Sequence, residues 1–356
     1  MQSLYLVTSG TQYAQTGVIA TDDFNTHLHK FALNGTRIDY RGSAVVAGHL
    51  GQRQDLKAFR LSEYQGVLRV ITSGGTPVAP GQSPATLYTL QEQPGQQQLE
   101  VIARLPNDRH PTALGTPGAQ FHEAHFFGTH AYLTPTRVTD PLYALDLSDP
   151  ADPKVVAELA LDHHPDYLQP IGPRYLLSIG KEAIPDDDGG DGRGSWDQGV
   201  KLVLMDTAAP AEDAASADNI RQAQESAAKQ QLLIGKRGTE TAVTYTPHAL
   251  ATRPQGNWLR VALPLSIYET LDPRDQDYAK NPAYRYQWTR DELLRLEINT
   301  QTGAWRLQPS LPAAAHDDQP PEERPVHSAF WREDRPVFIG EEVYYLHEDQ
   351  VLGSAW

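Results

Sequence analysis

Apolar and polar residues alternate along most of this chain in runs of about four to eight positions, the period of half-buried β-strands. Gly-, Pro- and Asp-bearing turns separate the runs, as at Phe127-Gly128-Thr129-His130 and Ile171-Gly172-Pro173-Arg174. One order recurs: an apolar strand, a tight turn, a second strand, a Leu-Tyr-x-Leu-like strand, then a more polar strand. Asp55–Leu61, Val67–Ser73, Leu87–Leu90 and Leu99–Leu105 form one such unit, and Phe121–Phe127, Ala131–Pro135, Leu142–Asp146 and Val155–Leu161 the next. Tyr167–Ile171, Tyr175–Gly180, Val200–Asp206 and Leu232–Ile234 form a third, and Val243–Ala251, Trp258–Leu263, Leu293–Ile298 and Ala304–Leu307 a fourth.

The two ends carry partial units. Leu4–Thr8, His27–Leu33 and Arg37–Val46 read as three outer strands, and Pro336–Ile339, Val343–His347 and Val351–Ala355 as three inner ones. Unit starts lie about 45 to 80 residues apart, the lower end matching one propeller blade. The expected fold is all-β: a single β-propeller domain over residues 1–356, built from five to six four-stranded antiparallel blades. A sandwich explains the alternation equally well, but not the recurring four-strand order.

Two stretches break the pattern. Residues 211–231 are rich in Ala, Glu, Gln and Lys, and their spacing predicts one inserted surface helix. Residues 272–289 read as a long loop carrying Tyr278, Tyr284, Tyr286 and Trp288, rigid aromatics suited to gripping a peptide or stacking on a sugar, or to packing back on the domain.

Composition narrows the function. The 27 Gly and 27 Pro among 356 residues favour many turns over long helices, and the absence of Cys excludes disulfides, thiolate metal sites and a thiol nucleophile. A net charge of −15 argues against nucleic acid and anionic membranes as partners, and no apolar run is long enough to insert in a bilayer. Met1 leads straight into a strand with no basic n-region, so the chain reads as cytoplasmic or as part of a longer precursor.

Candidate chemistry is sparse. Asp186, Asp188 and Asp191 could wrap calcium with hard oxygens, Asp197 falling near a twelfth loop position, or simply solvate a hairpin tip. His122, His125, His248 and His327 lie on or beside expected innermost strands, where imidazoles could share a transition metal. His163-His164 reads as a turn before a strand. Lys236-Arg237-Gly238 reads either as a phosphate or carboxylate site or as a turn that fixes the geometry of a blade. Neither a Gly-x-Ser-x-Gly elbow nor a nucleotide-type glycine loop occurs.

The stretch Asp140-Pro141-Leu142-Tyr143-Ala144-Leu145-Asp146-Leu147-Ser148-Asp149-Pro150 through Pro153-Lys154-Val155-Val156 resembles the bacterial secreted β-propeller domain family, distantly related to WD-repeat propellers. The likeness continues through Asp166–Gly172, Ser178–Lys181, Gly199–Asp206, Ile234–Glu240 and Pro247–Ala249. It implies an exported propeller, periplasmic or at the cell surface, and a chain that matches the C-terminal portion of family members. Gln169 stands where the family tends to have His, and Asp206-Thr207-Ala208-Ala209-Pro210 departs from the second turn motif. The family carries no settled catalytic motif. The expected function is a non-enzymatic scaffold whose loops bind a protein, peptide or glycan; the rival is a hydrolase or lyase with a metal-assisted site at the central channel.

Overall fold

In the computed structural model the described residues are 2–11, 24–51, 54–74, 84–115, 121–136, 140–159, 161–186, 188, 190–191, 194–207, 228–270, 281–315 and 333–356, with the backbone alone at a few strand positions, His122 among them. They are strand almost throughout and divide into two compact units, Met1–Ala160 and Leu161–Trp356.

The first unit opens with β1 (Gln2–Thr11), β2 (Phe24–Asn34) and β3 (Arg37–Ala47), an antiparallel meander. A second meander runs through β4 (Leu61–Tyr64), β5 (Val67–Ser73), β6 (Ala85–Gln93) and β7 (Gln98–Leu105). A single parallel bridge from Ser43 to Gln98 joins the two into one seven-stranded sheet. The third meander is β8 (Phe121–Phe127), β9 (His130–Pro135), β10 (Leu142–Asp146) and β11 (Lys154–Leu159). Leu28, Val46, Leu68, Val70, Leu90 and Leu99 fill the layer between the first two meanders. Ile71, Leu87, Leu105, Phe121, Leu133 and Leu145 fill the layer between the second and third.

The second unit repeats the plan. It holds β12 (His163–Ile171), β13 (Tyr175–Pro185), β14 (Ser195–Asp206) and β15 (Ala228–Ile234), then β16 (Ala251–Gln255), β17 (Trp258–Glu269), β18 (Gln287–Asn299) and β19 (Trp305–Ala315). A three-stranded sheet follows: β20 (Arg335–Ile339), β21 (Glu342–His347) and β22 (Gln350–Ala355). Leu177, Ile179, Leu202, Val261, Leu263 and Leu296 form the larger apolar layer, and Ala262, Leu293, Val343 and Tyr345 the smaller. A fully buried Leu contributes about 2 kcal/mol, more than an exposed ion pair at about 0–1 kcal/mol. The apolar layers therefore hold successive sheets together, and the peripheral ion pairs trim the result.

The strand order is as the alternation predicts, with four corrections. Residues Gln54–Arg60 form a 3-10 segment instead of the start of a strand. Arg60 anchors it: the buried guanidinium donates to Ser73 Oγ at 2.7 Å and to the Phe121 carbonyl at 2.6 Å. Residues expected as strand at Val243–Ala251 form two 3-10 turns, Ala242–Thr244 and Pro247–Ala249, because Thr241 caps the first and Pro247 lacks the N–H a ladder needs. Of the expected helix 211–231, residues 211–227 lie outside the described residues; Ala228–Gln231 are strand, paired to β14. Of the expected loop 272–289, residues 272–280 lie outside the described residues, and Gln287–Thr289 already belong to β18.

Candidate ligand-binding cleft

A polar cleft of about 170 Å³ opens in the second unit where β13, β14 and the turn after β15 meet the segment 281–286. That turn is stitched to the end of β17: Lys236 N donates to the Tyr268 carbonyl at 2.8 Å, and Glu240 and Ser266 exchange two backbone bonds at 2.9 and 3.0 Å. Gly238 has φ +111° and sits against Tyr268, where an added Cβ would stand 2.7 Å from the ring carbon Cδ1. Only glycine fits such a place.

Arg237 organises the cleft. Its guanidinium forks onto Asp191, with one bond of 2.6 Å, and also donates to the carbonyls of Asp197 at 2.8 Å and Ala283 at 3.2 Å. It lies over the Trp196 ring at 5.1 Å. The Arg237 hydrogen bond holds the Asp191 carboxyl below the usual carboxylate range, against the opposing effect of burial. The backbone of Arg237 accepts from Tyr286 N at 3.1 Å, and Gln198 Nε2 donates to the Pro282 carbonyl at 3.0 Å, so segment 281–286 is pinned at both ends. Lys181 pairs with Glu240 at 2.9 Å and donates to the Thr239 carbonyl.

What the cleft offers a visitor is therefore Arg285. It is exposed, its guanidinium lies 5.7 Å from the Tyr268 ring, and it shares a loop with Tyr284 and Tyr286, whose rings meet edge to face at 5.0 Å. A guanidinium beside a small aromatic pair suits a carboxylate carried on a partly apolar segment.

The residues singled out in the sequence fare differently. Lys236-Arg237-Gly238 is the geometry-fixing turn, not an open anion site. Asp186 Oδ2 accepts from Gly190 N at 2.8 Å within the β13–β14 hairpin tip, Asp188 is exposed, and Asp191 is paired with Arg237. His125 on β8 is buried with Nε2 3.1 Å from Glu123 Oε2, in the first unit. His248 stands exposed on a 3-10 turn of the second, not on a strand. The His122 side chain and His327 lie outside the described residues, and among those described no group of three His, Asp or Glu is placed to hold a metal. Tyr278 also lies outside them. Trp288 is no ligand platform: it is 3% exposed on β18, and its Nε1 donates to Asp291 Oδ1 at 3.0 Å.

His163 and His164 open β12 and are both fully buried, not in a turn. Their Nε2 atoms lie 2.7 Å from Ser178 Oγ and Ser195 Oγ respectively. Burial pushes the His163 imidazole below its ordinary value, although Asp162 opposes this. The unfolded chain then binds a proton near pH 6.5 that the fold refuses, so this group's stabilisation is present above about pH 6.5 and lost as pH falls. Urea denaturation between pH 7.5 and 5 should show stability falling by up to about 1.4 kcal/mol per pH unit from this group. The His163→Asn variant should lack that part of the slope; an unchanged slope would show that His163 is not held neutral.

Among the described residues no helix is long and apolar enough to cross a membrane. A family model described as a beta propeller domain matches residues 1–356. A protein of Methanocaldococcus jannaschii described as uncharacterized is 35% identical over 147 residues, 41% of this chain and 20% of that protein. Another, from Archaeoglobus fulgidus and likewise described, is 31% identical over 157 residues, 44% of this chain and 21% of that protein. The matched regions cover about a fifth of each relative's length, and both organisms are archaea.

Proposed function

Because the chain belongs to the beta propeller domain family, we propose that it is a non-catalytic recognition domain whose cleft takes an acidic segment of a partner protein. The observation that carries this reading is the pinned loop 281–286, which presents exposed Arg285 beside Tyr284 and Tyr286 on a base made rigid by Arg237. Rigid aromatics and a pre-placed guanidinium lose little entropy on binding. The net charge of −15 repels an acidic partner at long range, but at physiological salt exposed charges are screened beyond about 8 Å, so the charges lining the cleft decide: Lys181 and Arg237 are offset by Glu240 and Asp191, and Arg285 is the exposed cation. The resemblance to secreted propellers supports placing this activity outside the cytoplasm.

Selection of random displayed peptides on the immobilised protein tests the reading. Enriched peptides should share Asp or Glu next to apolar residues, and Arg285→Glu should weaken them at least about tenfold, the size of one charge-assisted contact. Peptides that bind Arg285→Glu equally well, or binding of neutral glycans on an array in place of peptides, would contradict it.

A further inference from the structure

The cleft of the Leu161–Trp356 unit is lined by as many carboxylates as cations: Asp191, Asp197 and Glu240 against Lys181, Arg237 and Arg285. Its two more buried cations already hold anions. Arg237 forks onto Asp191, and Lys181 is bound to Glu240 and to the Thr239 carbonyl. The acids remain reachable, with side chains 21% exposed at Glu240, 25% at Asp197 and 29% at Asp191. A carboxylate oxygen carries two lone pairs, so one hydrogen bond does not exhaust it. The Arg237 hydrogen bond holds the Asp191 carboxyl low, and the charge of Arg285 adds to that effect from nearby. A carboxylate brought to Arg285 therefore arrives close to anions of the protein itself.

On the basis of the acidic-segment reading above, and dependent on it, we infer that the cleft selects adjacent opposite charges: an acid flanked by an apolar residue on one side and by Lys or Arg on the other. The acid pairs with Arg285, the apolar residue lies on Tyr284 and Tyr286, and the cation enters the cleft toward Glu240, Asp191 and Asp197. Three considerations select this ligand over a run of acids. The formal charges of the lining sum to zero, so a second acid gains nothing there, whereas a cation meets carboxylates. An open volume of about 170 Å³ admits one extended side chain but not a folded element. The net charge of −15 also draws a ligand that carries its own cation more readily than one that is wholly acidic.

Four capped peptides, followed by the amide chemical shifts of the full chain, read the result. Acetyl-Leu-Asp-Lys-amide should move signals of residues 237–240 and 284–286. It should bind at least about fivefold more tightly than acetyl-Leu-Asp-Gln-amide, and acetyl-Leu-Asp-Glu-amide more weakly than either. Acetyl-Leu-Asn-Lys-amide should lose about tenfold against the first peptide, the loss of its contact with Arg285. In Glu240→Gln the preference for Lys over Gln should shrink while the Gln peptide still binds. If the Lys and Gln peptides bind alike and the Asn peptide is still the weaker, recognition of an acidic segment stands and the paired-charge inference is overturned. A preference for Lys that survives Glu240→Gln in full overturns it too. If the Asn peptide binds as well as its Asp counterpart, the acidic-segment reading falls and this inference with it. The absence of shifts from all four at about 10 mM overturns both.

Discussion

Asp334→Ala should destabilise the Leu161–Trp356 unit by about 3–5 kcal/mol, the cost of stripping one partner from a buried charged cluster. Asp334 is 2% exposed and stands just before β20. Its Oδ2 accepts from the Tyr345 hydroxyl at 2.5 Å and pairs with His347 Nδ1 at 2.9 Å. The far side of the same imidazole faces Asp291 on β18, with Nε2 3.7 Å from Oδ2, and Asp291 in turn accepts from Trp288. This chain of contacts ties the three-stranded sheet to the four-stranded one through groups that water does not reach. Burial lowers the affinity of His347 for its proton, but the Asp334 hydrogen bond and the charges of Asp334 and Asp291 outweigh it and hold the imidazole above its ordinary value. Burial likewise raises the Asp291 carboxyl, against the Trp288 hydrogen bond.

The sign follows from linkage. A histidine whose folded value is raised contributes fully below its unfolded value of about 6.5 and loses that contribution as pH climbs through the folded value. The parent should therefore weaken on going from pH 6.5 into the alkaline range, and Asp334→Ala should flatten that decline as well as lower the whole curve. Asp334→Asn, which keeps the volume and an acceptor, should recover part of the packing but not the slope. A loss below about 1 kcal/mol for Asp334→Ala would mean the cluster is solvated in the folded state.

Gly180→Ala should be as damaging through a different cause, by about 3–5 kcal/mol. A Cβ at Gly180 would fall on the carbonyl oxygen of His164 and within 2.8 Å of its carbonyl carbon and 2.9 Å of Asp166 N. These are backbone atoms of the neighbouring strand, so no side-chain rotation relieves the clash. The β12–β13 ladder already shifts register between His164 and Tyr167, and the added methyl would force the two strands apart beside the buried imidazoles. Thermal melting by circular dichroism should show a loss of roughly 6–20 °C, since about 1 kcal/mol moves a domain of this size by roughly 2–4 °C. A melt within two or three degrees of the parent would refute the close approach.

Much of the strand order was legible because period-two alternation and turn chemistry are local. Phe121–Phe127 and Leu142–Asp146 are found where the pattern puts them. Local pattern misled where burial and strand propensity part company: Val243 and Ala249 are buried and apolar, yet they sit on turns that Thr241 and Pro247 start. Trp288 misled in the opposite sense, because a run rich in Tyr, Asp and Arg hides the point at which β18 begins. The cleft was only half legible. Arg237 could be read as a turn residue from Lys-Arg-Gly, but its partner Asp191 lies 46 residues earlier and its contact Ala283 46 residues later. His347 followed the inward parity of Val343 and Tyr345 and so could have been read as buried. Its carboxylates Asp291 and Asp334 come from separate elements brought together by sheet stacking, which no local spacing encodes.

Hydrogen exchange of the protein, free and saturated with an acidic peptide selected on it, bears most directly on the recognition cleft. Slowed exchange should appear in residues 194–201, 234–241 and 281–286 together. Protection confined to other sheets, or none at a peptide concentration that saturates binding, would place recognition elsewhere and remove the basis for Arg285 as its anchor.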